Sequence, residues 1–272
     1  MIEFLFDYAT LRVIWWILLG VLLVGFAVTD GFDMGTGVLL PFVARTDAER
    51  RVVINTVGPV WEGNQVWFIL GGGAIFAAWL AVKADGIVSS RAKALGARAA
   101  VLTAILFAGG GLLVWAGLLG GYRVTSAIAW DGPSNPLGKT VVEDGGAWLA
   151  NFNAHPILWL VPIAGVVAPL LAALGFRAGR EGLTFLASEL GVAMIVTTVG
   201  VAMFPILLPS SSDPSHSLAV FDASSSRATL RNMLLATAIF MPIILAYTAW
   251  VYRVLWGKVS EAGVKKAGTS AY

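Results

Sequence analysis

What this sequence lacks narrows it first. It has no cysteine and only two histidines, and Asp, Glu, Lys and Arg together make up 12% of the chain. The missing cysteines exclude a disulfide frame, a thiolate metal site and a cysteine-held iron–sulfur cluster. Scarce charge excludes an ordinary soluble domain, whose water-facing surface needs roughly a quarter charged residues. The formal net charge of +2 is too small to suggest nucleic acid. His155 precedes Pro156, and His216 lies in Ser210-Ser-Ser-Asp-Pro-Ser-His. Both positions read as loops, whereas a haem axial ligand is expected inside a span. Met203 could ligate, but methionine in an apolar helix usually packs. No metal-ligand cluster is visible, so a redox centre would have to be held mainly by a partner chain.

What is present is apolar. Hydrophobic residues make up 58% of the chain and the mean hydropathy is +0.81. A helix needs about 20 mainly apolar residues to cross a bilayer core. Six runs qualify: Leu11–Thr29, Val53–Val82, Ala97–Gly120, Ile157–Phe176, Leu183–Leu208 and Met233–Leu255. The expected fold is an all-α polytopic transmembrane bundle of about six spans, forming a single integral membrane domain over residues 1–272. Glu3 and Asp7 precede the first run where a cleavable signal would carry basic residues, so that run is expected to stay as a helix. The longest polar connection, Gly121–Pro156, reads as an ordered surface loop.

Basic residues set the orientation, because Lys and Arg concentrate in cytoplasmic loops. Arg45, Arg50 and Arg51 follow the first span, Arg177 and Arg180 the fourth, and Arg253, Lys258, Lys265 and Lys266 the last. This places the N-terminus outside and the C-terminus in the cytoplasm. Lys83, Arg91, Lys93 and Arg98 break the alternation. They too read as cytoplasmic, yet Val53–Val82 starts inside and is too short for two crossings. Either one basic cluster is stranded outside or membrane spans are missing here; missing spans are the favoured explanation, and a single crossing with a disrupted join near Ala78–Lys83 is expected.

The residues with chemistry to offer are few. Asp30 and Asp33 lie in Thr29-Asp-Gly-Phe-Asp-Met-Gly35, where intramembrane carboxylates mark an ion pathway or partner contact, or else sit at the interface. In the second run Asn55, Pro59, Glu62 and Gln65 recur at three- and four-residue steps and so share one helical face. Lipid cannot satisfy that face, so it must meet protein or water. Glu62 is a candidate proton carrier, set against the alternative of polar glue between helices. Glu189, about two turns past Arg180, reads as a structural group that could face the interface. Most of the eleven tryptophans lie near span ends like an aromatic belt, whereas Trp61, Trp67 and Trp115 lie further in.

Several stretches resemble subunit II of cytochrome bd oxidases. They are GFAVTDGFDMG (Gly25–Gly35), GPVWEGNQVWFILGGGAIFAAW (Gly58–Trp79), SNPL (Ser134–Leu137), GAWLANFNAHPILWLVP (Gly146–Pro162), AMFPILLPSS (Ala202–Ser211) and PIILAYTAWVY (Pro242–Tyr252). They come in family order and touch most of the chain. The resemblance implies a bacterial quinol:oxygen oxidoreductase in the cytoplasmic membrane. In that family subunit I holds haem b, haem d and the quinol site, while the second subunit is haem-free and small accessory subunits can join. It implies that Glu62 occupies the acidic position of the W-D/E-G-N-Q motif associated with proton delivery, and that Asp30 and Asp33 form the acidic pair of GFDMG. Trp67 matches a tryptophan beside a proposed oxygen route, and Trp61, Asn64 and Gln65 belong to the same motif at a route or partner contact. The family has nine spans, and about three are lost here between Ala78 and Lys83. Two alternatives stay open: a proton-coupled transporter, and an inactive remnant of the oxidase subunit.

Overall fold

Backbone amides and carbonyls cannot be left unpaired in hydrocarbon, so long uncharged runs of Leu, Val and Ala are forced into helices. The computed structural model describes residues 6–57, 73–254, 257–260 and 262–264, and the side chains of 30–34, 57 and 73–77 fall outside that description. In chain order come α1 (Tyr8–Val43), α2 (Asp47–Val57), α3 (Gly73–Lys83) and α4 (Gly86–Trp115). A hairpin of β1 (Gly121–Val124) and β2 (Val141–Asp144) follows, then α5 (Ala150–Ala154), α6 (Leu160–Ala178) and α7 (Glu181–Met203). β3 (Ile206–Leu208), β4 (Leu218–Ala219) and α8 (Arg227–Val254) complete the order.

Five helical stretches among the described residues are long and apolar enough to cross a membrane: Tyr8–Thr29, Gly86–Trp115, Pro156–Ala178, Glu181–Met203 and Arg227–Val254. The all-α polytopic bundle stands. α1 is longer than expected, with 36 residues and Pro41 inside it. At 1.5 Å per residue it extends about 54 Å, well beyond a bilayer core of about 30 Å. Asp30 and Asp33 therefore lie on an unbroken helix.

Contacts divide the chain into two compact units. The first comprises Met1–Val21, Gly109–Leu160 and Thr197–Ala246. Its polar connections are ordered, as the sequence suggests. β1 and β2 pair antiparallel, with Gly121 opposite Asp144, and β3 pairs antiparallel with β4. Arg12, 1% exposed, ties this unit together. Its guanidinium donates to Ser224 Oγ at 2.8 Å, to the Gly132 carbonyl at 2.9 Å and to the Trp130 carbonyl. Lys139 and Asp222 form a buried ion pair at 2.7 Å. Burying these charges is tolerable because each meets a compensating group.

The second unit comprises Leu22–Ala108, Val161–Val196 and Tyr247–Tyr272. Its helices approach closely through small residues, as membrane helices do when hydrophobic sorting cannot drive them together. Ala100, Ala172, Ala173 and Ala187 form one buried cluster. A Cβ on Gly191 would stand 2.9 Å from the Pro169 ring, and one on Gly175 would stand 2.5 Å from Thr184 Oγ1. Glycine is required at both positions.

The expected second span is where the structure departs from the sequence reading. Val52 and Val53 of α2 share a buried cluster with Leu80, Ala84, Val88 and Ala92. The Trp79 indole donates to the Thr56 carbonyl at 3.2 Å. In one straight helix these two residues would be about 35 Å apart. The two described ends of the expected span, α2 and α3, therefore stand side by side, which a single straight crossing does not allow. The join is also intact: α3 runs without a break through Ala78–Lys83, and the Ala84 amide donates to the Leu80 carbonyl at 2.9 Å. The parity conflict dissolves, because Arg91 on α4 meets Glu49 on α2, so the two basic clusters lie close together.

Candidate functional site

The base of this segment is built by a local signal the sequence reading passed over. Thr46-Asp47-Ala48-Glu49 is a capping box. The Glu49 amide donates to Thr46 Oγ1 at 3.2 Å, and the Thr46 amide donates to Glu49 Oε2, also at 3.2 Å. The same oxygen accepts from the Arg45 amide at 2.6 Å and from Arg91 Nη1 at 3.0 Å. Arg91 also donates to the Val43 carbonyl at 3.0 Å. One carboxylate thus fixes the end of α1, the start of α2 and the start of α4. The Arg45 amide is the largest influence holding the Glu49 carboxyl below the usual carboxylate range; burial opposes it, and Thr46 and Arg91 add to it.

A second charged knot lies in the same unit. Glu181, at the start of α7, takes Lys93 Nζ at 2.8 Å and Lys258 Nζ at 3.0 Å. Of the basic residues that the charge rule grouped, Arg91, Lys93 and Lys258 are therefore paired with carboxylates. Above them Trp79 forms a hub, 3% exposed. Its ring lies 5.8 Å from Phe185 and 6.3 Å from Tyr252, with Lys83 Nζ 5.6 Å from the ring centre. Deeper along α7, both carboxylate oxygens of Glu189 are buried and have no hydrogen-bond partner among the described residues. That environment does not match a carboxylate facing the interface, as read from sequence. Nothing local marks it, since it depends on how α7 packs.

The other expected site residues divide into two groups. Asp30 and Asp33 lie on α1, and their side chains fall outside the described residues. Glu62, Trp61, Asn64, Gln65 and Trp67 lie outside the described residues. Asn55, on α2, donates to the Arg51 carbonyl at 2.8 Å. His155 follows α5, and exposed His216 stands 3.8 Å from Asp213. Neither histidine lies in a candidate span. Among the described residues no group of three or more His, Asp or Glu side chains is arranged to hold a metal ion.

The long apolar helices define a polytopic integral membrane protein. The family described as cytochrome bd terminal oxidase subunit II matches residues 11–79 and again 77–255. The chain is similar to cytochrome bd-I ubiquinol oxidase subunit 2 of Escherichia coli strain K12, with 34% identity over 98% of this chain and 100% of the relative. It is 32% identical to a probable cytochrome oxidase subunit 2 of Haemophilus influenzae over the same shares. Cytochrome bd ubiquinol oxidase subunit 2 of Bacillus subtilis matches at 48% over 29% of this chain and 24% of its own length.

The chain belongs to the cytochrome bd oxidase subunit II family, which sets aside the transporter reading. The two matched stretches meet at residues 77–79, within α3. The alignment to the Escherichia coli relative is 378 positions long against 272 residues here, so at least 106 positions have no counterpart in this chain. Three spans of about 20 residues with their connections account for a gap of that size.

Proposed function

We propose that this chain is the haem-free second subunit of a quinol:oxygen oxidoreductase of the respiratory chain, working beside a larger subunit I that holds haem b, haem d and the quinol site. The family match over nearly the whole chain carries the reading. The donor set supports the division of labour, because both histidines stand outside the candidate spans. Small accessory subunits and membrane lipids complete the surroundings, and the chain forms one integral membrane domain in the bacterial cytoplasmic membrane. The paired basic end, with Arg91, Lys93 and Lys258, faces the cytoplasm by the charge rule, which leaves the N-terminus outside.

Within that role Glu62 delivers protons towards the haems, with Asp30 and Asp33 on the same supply. Trp61, Asn64, Gln65 and Trp67 serve oxygen access or the contact with subunit I. Catalysis of oxygen reduction itself belongs to the partner. The test is to express subunit I with and without this chain. Haem absorption bands and quinol oxidase activity should appear in the complex purified through a tag on this chain. A haem-free preparation, or a fully active subunit I without this chain, overturns the proposal. Glu62→Gln should leave the haem bands in place and slow proton uptake. Unchanged uptake removes Glu62 from the pathway.

A further inference from the structure

Glu189 stands eight residues past Glu181 on α7, about 12 Å along the helix axis. Its two carboxylate oxygens and the neighbouring Ser188 hydroxyl are buried without hydrogen-bond partners among the described residues. Three adjacent oxygens in this state are costly within a helix apolar enough to span a membrane. An ionised carboxylate can only accept hydrogen bonds, whereas a protonated acid carries no charge and donates one. In this setting a bound proton removes most of the cost.

The surroundings give that proton a way in. Glu181, bound by Lys93 and Lys258, marks the charged end of α7. Thr184 and Ser188 follow at steps of three and four residues, so they continue one face of the helix. Both are buried, and Thr184 faces Gly175 of α6. Glu189 follows Ser188 directly and lies one turn beyond Phe185, whose ring meets Trp79 on α3. Elements α3, α4 and α6 pack on this part of α7, and the charged residues they carry are Lys83 on α3, Arg91, Lys93 and Arg98 on α4, and Arg177 on α6.

We infer that Glu189 is an intramembrane proton-binding site, neutral at rest, that exchanges its proton with the Glu181 end through the Ser188 and Thr184 hydroxyls and internal water between them. The exchange moves only protons: each hydroxyl accepts one from the charged end as it passes its own towards Glu189, and no bond between heavy atoms changes. The site stands on the packing of α7. Only its use in supplying the oxidase rests on the functional reading above.

Infrared difference spectroscopy of the purified complex in H2O and D2O tests it. The expected spectrum contains a protonated carboxyl C=O band that shifts down in D2O and is lost in Glu189→Gln. Glu189→Asp should move the band and keep its deuterium sensitivity. Ser188→Ala should slow the deuterium shift several-fold without removing the band. Glu62→Gln should leave the Glu189 band untouched, so failure of the Glu62 role and failure of this site read out separately. If Glu189→Gln removes ionised carboxylate bands instead, or if the band ignores D2O, the inference is overturned.

Discussion

Glu49 shows how one side chain can fix three helix ends. It closes a capping box with Thr46, accepts from the Arg45 amide and holds Arg91. Replacing it with alanine should cost about 1–2 kcal/mol from the lost cap, seen as a lower melting temperature of the detergent-purified protein. The pH dependence follows from linkage. Folding lowers the Glu49 carboxyl below its ordinary range, so its contribution is complete at neutral pH and lost as pH falls through that lowered value. The gap in stability between wild type and Glu49→Ala should therefore narrow on acidification, and a gap independent of pH would remove the carboxylate from the account. This site was legible, because Thr-x-x-Glu before a helix is a local signature. The state of Glu189 was not, since α6, α3 and α7 must be assembled before its oxygens are cut off from partners.

At the scale of elements, length and hydropathy picked out the spanning helices, whose pattern lies within each run. They failed for the segment between Arg51 and Lys83, where an apolar window of suitable length hid two short helices, α2 and α3, that pack on each other. The clue was electrostatic: basic residues at both ends forbade one crossing. A direct test uses the absence of native cysteine. Val53→Cys and Leu80→Cys, combined, should be joined by a short bismaleimide, because both residues belong to one buried cluster. A single straight helix would hold them about 40 Å apart, and no joining would be seen. Packing of α6 on α7 makes a second prediction. Gly191→Ala places a methyl against the Pro169 ring, and overpacking of this kind costs about 1–3 kcal/mol. Thermal unfolding of that variant in detergent should shift down, and an unchanged midpoint would mean the two helices separate freely.

For the whole molecule, the number of crossings between Arg51 and Lys83 decides which direction every later helix takes. Asp47 and Asp85 are both exposed, at the start of α2 and just past α3. Cysteines placed there one at a time should react with a membrane-impermeant maleimide from the same face of oriented vesicles. Reaction from opposite faces would restore the single crossing. The family motifs made the identity legible from sequence, while the close approach of α2 and α3 left its mark only as a charge conflict. The Arg91–Glu49 contact carries one more consequence, which concerns the order of synthesis. Arg91 leaves the ribosome 42 residues after Glu49, which at about 5–20 residues per second is a delay of roughly two to eight seconds. Until then the capping box can close locally, but its clasp on α4 has no second half. The capping box at the start of α2 thus exists before the contact that clasps it to α4, and the arrival of α4 locks an end already shaped.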